Sequence, residues 1–182
     1  MKKISCCFSG YSLKEFPFRH NEKHPLCVQL KIEIAHQIAI LYEQGVRQFY
    51  FSVVPGTGLW AGEILTGMKN SGEYDNIGLN CTFDSRMSDW YDDAMIERLN
   101  SVISASDNII VSPYIANTIP MLGYYPNIQK AHYMIAVCRC EKKERTDAMT
   151  AIRLAKCMQR EIVIINSDTI DVTVHEANRM RD

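Results

Sequence analysis

The feature that most constrains this chain is a glycine-bearing turn between a strand-like segment and a helix-like segment. Residues 48–54 are nearly continuous in aromatic and β-branched side chains, which is typical of a strand covered on both faces in a parallel sheet. The turn Pro55-Gly56-Thr57-Gly58 follows directly, and apolar side chains then recur at helical spacing over residues 59–68. This segment therefore predicts a strand, a tight turn and a helix in direct succession.

A turn of this kind suits an anionic ligand. A helix N-terminus presents unpaired N–H groups with a partial positive charge, and glycines let a ligand approach the backbone closely. Thr57 adds a hydroxyl donor. A tight strand-to-helix connection that binds no ligand also explains these glycines, and the pattern alone does not separate the two interpretations.

Strand-like and helix-like segments alternate through most of the 182 residues, a length that fits one domain. A polar loop containing Pro17 and Pro25 is predicted after the first strand. The predicted strands are residues 4–9, 48–54, 77–83, 108–111, 133–138 and 162–166, and the predicted helices are residues 26–42, 59–68, 87–104 and 146–159. Strands joined through helices form parallel sheets with right-handed crossovers. We therefore expect one α/β domain over residues 1–182, a Rossmann-like three-layer sandwich with a mostly parallel sheet and helices on both faces. Its core is expected at about residues 4–166, with a polar tail at 167–182.

Composition and charge narrow the classes of partner. The net charge is −1, from 20 basic and 21 acidic residues spread along the chain. No cluster of basic residues is present that would attract nucleic acid or an anionic membrane. The apolar stretch near the N-terminus is too short for a signal peptide or a spanning helix. We expect a cytoplasmic protein with neither a nucleic-acid nor a membrane partner.

The cysteine and histidine residues are not spaced like the ligands of a metal site. None of the seven cysteines forms a C-x-x-C pair, although Cys138 and Cys140 share a face at a predicted strand end. His20, His24 and His36 fall in a polar loop and on a helix. We interpret the cysteines as reduced core residues and the histidines as solvated side chains, and we expect no metal and no established cofactor.

Ligands of open α/β sheets bind beyond the carboxyl ends of the strands, near the point where strand order reverses. Small hydroxyl residues and glycines follow three of the predicted strands, which indicates a pocket there. The candidate ligand-binding residues are Ser9, Gly10, Tyr11, Pro55, Gly56, Thr57, Gly58, Trp60, Trp90, Ser112 and Tyr114. The two tryptophans either stack on a nucleobase or pack in the core. Glu63 either faces a ribose hydroxyl or complements the helix dipole.

Several motifs carry a resemblance to a known family. They are Cys6-Cys7-Phe8-Ser9-Gly10-Tyr11, Gly56 with Leu59-Trp60-Ala61-Gly62-Glu63, Trp90, and Ala105-Ser106-Asp107-Asn108-Ile109-Ile110-Val111-Ser112. Their order over roughly residues 4–166 resembles the YpsA-like branch of the SLOG superfamily, related to DprA and to the cytokinin-activating phosphoribohydrolases. The resemblance implies a Rossmann-like domain that binds a nucleotide-derived small molecule, such as an NAD or ADP-ribose derivative.

The chain departs from the family pattern at its charged and glycine positions. The family's His-Arg after the first glycine is Tyr11-Ser12, its paired glycines before the turn are Ser52-Val53, and its acidic turn residue is Gly58. Its later Gly-Gly-Thr turn is Thr146-Asp147-Ala148.

A second motif bears on catalysis. The segment from Pro55 to Glu63 is similar to the Pro-Gly-Gly-x-Gly-Thr-x-x-Glu motif of the phosphoribohydrolases, with Leu59-Trp60 in place of its inner Gly-Thr. The similarity implies Glu63 as the catalytic residue if the chain cleaves an N-glycosidic bond. No local nucleophile and base, carboxylate pair or metal cluster is evident. Binding or sensing is therefore the leading hypothesis; the alternatives are a nucleotide N-glycosidic hydrolase and a degenerate scaffold that binds another protein. A homodimer is compatible with each.

Overall fold

The computed structural model describes residues 4–84, 91–112, 121–139 and 146–177; for Asp84, Ser112 and residues 121–125 it describes only the backbone. Strands and helices alternate along these ranges. The elements are β1 (Ile4–Gly10), α1 (Pro25–Glu43), β2 (Val46–Ser52), α2 (Thr57–Ser71), β3 (Gly78–Asp84), α3 (Asp93–Ala105), β4 (Asn108–Ser112), α4 (Met121–Lys130), β5 (Tyr133–Cys138), α5 (Asp147–Cys157), β6 (Glu161–Asn166) and β7 (Val172–His175).

The strands form one seven-stranded sheet in the order β4-β3-β2-β1-β5-β6-β7. Neighbouring strands are parallel except for β6 and β7, which are antiparallel. The chain runs outward from β1 to β4 and returns to the other side of β1 at β5, so strand order reverses between β1 and β5. In register, Phe8 lies beside Ile135 and Gly10 beside Val137. The predicted Rossmann-like α/β fold with a mostly parallel sheet is confirmed.

Helices flank the sheet in two groups. The helices α1, α2 and α3 pack side by side, and α2 covers β1, β2 and β3. The helices α4 and α5 pack together, with α4 over β1 and β2 and α5 over β1, β5 and β6. The strand β5, next to the central strand β1, is fully buried from Met134 to Cys138, as expected of a strand covered on both faces. Within the described ranges, no helix is both long and apolar enough to cross a membrane.

Three elements differ from the sequence predictions. The helix α4 was not predicted, because its interior proline, Pro126, normally disfavours a helix; packing of the buried Asn127 and Ile128 overrides that preference. The strand β7 lies in the predicted polar tail, where its four residues are too short to show a clear alternation. The helix α3 begins at Asp93, after the capping residue Asp92, so the predicted start at residue 87 was wrong over residues 91–92.

The segment between β1 and α1 is a loop, as predicted, but it is not polar throughout. Four of its apolar side chains, Tyr11, Leu13, Phe16 and Phe18, are buried. The Phe16 ring lies 5.0 Å from the ring centroids of both Phe18 and Trp60 on α2. Such aromatic contacts each add about 0.5–1.5 kcal/mol beyond their burial. The loop is therefore fastened to the first turns of α2.

Backbone contacts join this loop to the glycine turn. The Thr57 amide and hydroxyl both donate to the Tyr11 carbonyl oxygen, at 3.1 Å each, and the Leu13 amide donates to the Pro55 carbonyl oxygen. Gly56 adopts a φ of 114°, and a Cβ there would lie 2.6 Å from the Tyr11 oxygen. Only glycine satisfies both the left-handed backbone and the close approach.

An ion-pair network holds the other end of the loop. We call Glu22, Lys31, Trp60, Glu63 and Arg98 the Arg98 network. The Arg98 guanidinium donates to both Glu63 carboxylate oxygens, at 2.8 and 3.0 Å, and to both Glu22 oxygens, at 2.7 and 3.1 Å. Lys31 and the Trp60 indole N–H also donate to Glu22. The network thus connects the loop to α1, α2 and α3.

The charges of the network shift the pKa of Glu22. Burial by itself raises that pKa, but hydrogen bonds from Arg98 and Lys31 outweigh the burial and hold the pKa at about 2. The hydrogen bonds from Glu63 and Glu22 raise the pKa of Arg98 above its usual range. Both groups are therefore charged throughout the ordinary pH range.

A pair of glycine substitutions tests the close approach. We expect Gly56→Ala to destabilise the protein by about 2–4 kcal/mol, since the left-handed backbone and the contact with Tyr11 both oppose a Cβ. The matched control is Gly67→Ala on the exposed side of α2, where a Cβ meets nothing within 4 Å; it should be neutral or stabilise by up to about 1 kcal/mol. Urea unfolding measures both. Equal effects of the two variants would contradict the assignment.

A pH series tests the Arg98 network. Because the pKa of Glu22 is lowered on folding, its carboxylate stabilises the fold above about pH 4.5, and this contribution is lost as the pH falls toward 2. We expect Glu22→Gln to lower the free energy of unfolding by about 2 kcal/mol at pH 7. The difference from the wild type should shrink below pH 4. Chemical unfolding between pH 3 and 7 measures it, and a difference independent of pH would contradict the ionic role.

Candidate functional site

A cavity of about 130 Å³ opens at the carboxyl ends of β1 and β2. It lies next to the reversal of strand order, since β1 borders β5 on its other side. This is the position at which open α/β sheets bind their ligands. The residues that line it are Phe8, Ser9, Gly10, Tyr11, Ser12, Glu15, Ser52, Val54, Gly58 and Asp147. The last of these begins α5, so the first turns of α2 and α5 both border the cavity.

Serine hydroxyls and one backbone amide supply hydrogen-bonding groups to the cavity. Ser9 and Ser52 lie on neighbouring strands, and Ser12 donates its amide and its hydroxyl to Glu15 Oε2, at 2.7 and 2.9 Å. In the first turn of α2, the amides of Thr57, Leu59 and Trp60 donate to backbone oxygens of the protein. Among the described residues the amide of Gly58 has no such acceptor, so it remains available to a ligand.

The glycine at position 58 also has a packing reason. A Cβ there would overlap the carbonyl oxygen of Ser52, so glycine lets α2 begin directly against the end of β2. The turn is thus a close-packed connection, and its residue Gly58 also lines the cavity.

The described walls of the cavity are acidic. Their charged side chains are Glu15 and Asp147, and no Lys, Arg or His lines the cavity within the described part of the chain. Burial, and then the neighbouring Glu15, raise the pKa of Asp147 above its ordinary value. Carboxylates accept hydrogen bonds from hydroxyl groups and repel phosphates. These walls favour the hydroxyl-bearing part of a ligand over its phosphates.

Tyr11 connects the ends of β1 and β5, between which the strand order reverses. Its backbone amide donates to the Val137 carbonyl oxygen on β5, and its side-chain hydroxyl accepts from the Arg139 amide at 3.3 Å. Tyr11 is 3% exposed. The side chain therefore serves mainly to hold the floor of the cavity, with only an edge presented to a ligand.

The structure brings four of the predicted site residues to the cavity wall, namely Ser9, Gly10, Tyr11 and Gly58. Pro55, Gly56 and Thr57 lie buried in the turn, beneath the loop that follows β1. Trp60 is fully buried, and its ring contacts Phe16 and Phe18. Glu63 does not line the cavity, and its carboxylate is paired with Arg98.

Of the three loops predicted to converge, the one after β4 lies outside the described residues, but the end of β4 itself is separated from β1. Ser112 ends β4 at the edge of the sheet, and β3 and β2 separate that strand from β1. Three strand spacings put the two strand ends about 14 Å apart. The remaining two predicted residues, Trp90 and Tyr114, lie outside the described residues.

Sequence reasoning missed several functional candidates. Ser12, Glu15, Ser52 and Asp147 line the cavity but were not predicted. Ser52 directly precedes the predicted turn, and Asp147 opens the helix after β5, so the strand-end rule would have found both. Arg98 pairs with residues 35 and 76 positions away, and no local pattern predicts such contacts.

Groups for a reaction are sparse at this site. In the described ranges, no set of three or more His, Cys, Asp and Glu side chains is arranged to hold a metal ion. The described cysteines are buried except for Cys157, and burial raises the pKa of the Cys6 and Cys7 thiols. Such thiols remain protonated and are poor nucleophiles.

A comparison with known protein families identifies a family for this chain. The family model named YpsA, described as the YspA SLOG family, matches residues 6–118, which include most of β1, the glycine turn and β4. No curated protein matches the chain. The family match suggests a nucleotide-related binding or processing domain. Since the match covers more than half of the 182 residues, the chain belongs to the YspA SLOG family.

Proposed function

We propose that this chain binds or senses a nucleotide-derived small molecule, such as an ADP-ribose or NAD derivative, in the cavity at the carboxyl ends of β1 and β2. The observation that carries the proposal is that Ser9, Ser52 and Gly58 line one cavity at the edge where the strand order reverses. Family membership supports a nucleotide-related ligand.

The size and charge of the cavity support a particular orientation of the ligand. Its volume of about 130 Å³ is smaller than the roughly 300–1,000 Å³ of pockets that enclose a whole ligand. We therefore expect one group of the ligand inside, with the rest across the rim. Glu15 and Asp147 suit the hydroxyls of a ribose, and the Gly58 amide suits an oxygen acceptor of the same molecule.

The alternative of an N-glycosidic hydrolase has less support. Both carboxylate oxygens of Glu63 accept hydrogen bonds from Arg98. This carboxylate is engaged by Arg98, and Glu63 does not line the cavity that Gly58 lines. This arrangement favours a structural role for Glu63.

A second candidate function is a scaffold for a protein partner. The backbone of the loop after β1 lies directly on Gly56, in the place where a phosphate would approach a glycine turn. This contact favours a chain that lacks one contact to a small ligand and binds a protein partner through its surface instead. The two functions differ in their response to small molecules.

Ligand binding is tested by thermal shift with adenosine, AMP, ADP-ribose and NAD at up to millimolar concentration. We expect the ribose-bearing ligands to raise the Tm, by about 2–4 °C per kcal/mol of stabilisation. The variant Ser9→Val removes a hydroxyl from the cavity wall and should weaken binding about 5–10-fold. Ser101→Ala, on the exposed side of α3, is the matched control and should leave binding unchanged. If no ligand raises the wild-type Tm, the binding function is wrong and the scaffold function is favoured.

The hydrolase alternative has its own assay. We expect no release of free base from nucleoside monophosphates, because Glu63 is engaged by Arg98. Chromatography of the reaction mixture measures the release. Base release by the wild type that is lost in Glu63→Gln would establish hydrolysis and overturn the assignment of a structural Glu63.

A further inference from the structure

A second cavity, of about 380 Å³, lies at the amino ends of the strands, on the opposite edge of the sheet from the first cavity. It forms where α5 ends and where the antiparallel strand β7 places His175 beside Ile162, near the start of β6. The six residues of β6 span about 20 Å between the two edges of the sheet. The residues that line this cavity, which we call the basic cavity, are Lys156, Cys157, Gln159, Arg160, His175, Glu176 and Ala177.

The charge of the basic cavity is opposite to that of the first cavity. Lys156, Arg160 and His175 line it from the end of α5, the following turn and the end of β7, and Glu176 is the acidic residue among them. Within the described part of the chain, neither Lys156 nor Arg160 forms an ion pair with a carboxylate. Their charges are therefore available to an anionic ligand.

The turn after α5 fixes the position of Arg160. Gln159 adopts a φ of 55° and donates its amide to the Lys156 carbonyl oxygen at 3.0 Å, and the Arg160 amide donates to the Ala155 carbonyl oxygen at 2.9 Å. This is the hydrogen-bond pattern of a Schellman motif, and it occupies carbonyl oxygens at the end of α5 that would otherwise repel an anion. The Arg160 Nη2 donates to the Gln129 carbonyl oxygen on α4 at 3.1 Å. The guanidinium is thus held in place at the wall of the cavity.

The basic side chains are close enough to repel one another. Burial, and then the charge of Lys156, lower the pKa of His175 below its ordinary value. An anion bound between these two side chains removes that repulsion and stabilises the charged imidazole. The arrangement therefore favours an anion at this position.

We propose that the basic cavity is a second ligand site, which binds the phosphate group of a small phosphorylated molecule. The planar fork of an arginine and the ammonium of a lysine are the side chains that most often bind phosphate oxygens. The volume of about 380 Å³ falls within the roughly 300–1,000 Å³ of pockets that enclose a small ligand, so the cavity has room for more than the phosphate itself. The Glu176 carboxylate suits hydroxyl groups on the rest of that ligand.

Protection of Cys157 from alkylation tests the proposal, because this exposed thiol lines the basic cavity. The probe is pyrophosphate at constant ionic strength, and mass spectrometry of the peptide that contains Cys157 measures the rate of its reaction with iodoacetamide. With a dissociation constant on the order of 1 mM, pyrophosphate at about 10 mM should slow the reaction about tenfold. Adenosine has no phosphate and should leave the rate unchanged, which separates this site from the first cavity.

A pair of charge-removing variants on α5 completes the test. Lys156→Gln removes one cation from the basic cavity and should weaken pyrophosphate binding about tenfold. Arg153→Gln makes the same change of charge at an exposed position of the same helix that does not line the cavity, so it should bind like the wild type. Each variant is compared by the ratio of its own alkylation rates without and with pyrophosphate.

The pKa of His175, followed by NMR, is a second readout. Pyrophosphate should raise it by placing negative charge beside Lys156, Arg160 and the imidazole, and sodium chloride at the same ionic strength should raise it less.

A wild type in which pyrophosphate neither protects Cys157 nor raises the pKa of His175 would overturn the proposal, as would equal protection in Lys156→Gln and Arg153→Gln. Equal protection by the dicarboxylate succinate, or protection by adenosine, would overturn the assignment of a phosphate ligand.

Discussion

The close backbone approach between the loop after β1 and the glycine turn after β2 is the contact on which the rest of this structure depends. The Tyr11 carbonyl oxygen receives both donors of Thr57, and Gly56 lies beneath it without a side chain. This contact sets where α2 begins. The start of α2 in turn places the Gly58 amide at the cavity and brings Trp60 against Phe16.

The same contact explains why the site differs from an open phosphate-binding turn. In an open turn, the first amides of the helix point toward an anion. Here three of the four amides at the start of α2 bind protein oxygens, and the amide of Gly58 is the exception within the described residues. The acidic side chains Glu15 and Asp147 complete a wall suited to hydroxyl groups. The glycines at positions 56 and 58 are required by packing, because a Cβ at either would overlap a backbone oxygen.

The sequence-based predictions succeeded for segments in which consecutive residues are buried or local turn rules apply. The strands β5 and β6 are continuous apolar runs, and the strand-turn-helix unit around Gly56 follows local rules, so all were predicted close to their observed bounds. It failed where distant packing decides. Pro126 is unfavourable inside a helix, so α4 was not predicted. The aromatic residues of the loop after β1 are interspersed with charged residues, so the sequence pattern does not show that they are buried.

The site was predicted in part for the same reason. Ser9 and Gly58 follow from the rule that ligands bind at strand ends. Ser112 obeys the same rule but lies at the far edge of the sheet, because strand order is a property of the whole chain. The pairing of Arg98 with Glu22 spans 76 residues and likewise has no local signature.

The strand order also governs how the chain is completed during synthesis. β1 is central in the sheet, yet its partner on one side, β5, is made far later than β2 on the other. At roughly 5–20 residues per second, a ribosome takes about 5–15 s to extend the chain from the end of β2 to β5. During that interval one edge of the buried strand Cys6–Phe8 has no partner strand, and the floor of the cavity, which Tyr11 ties to Val137, has not formed. The end of the molecule that holds the cavity is therefore among the last parts to assemble on the ribosome.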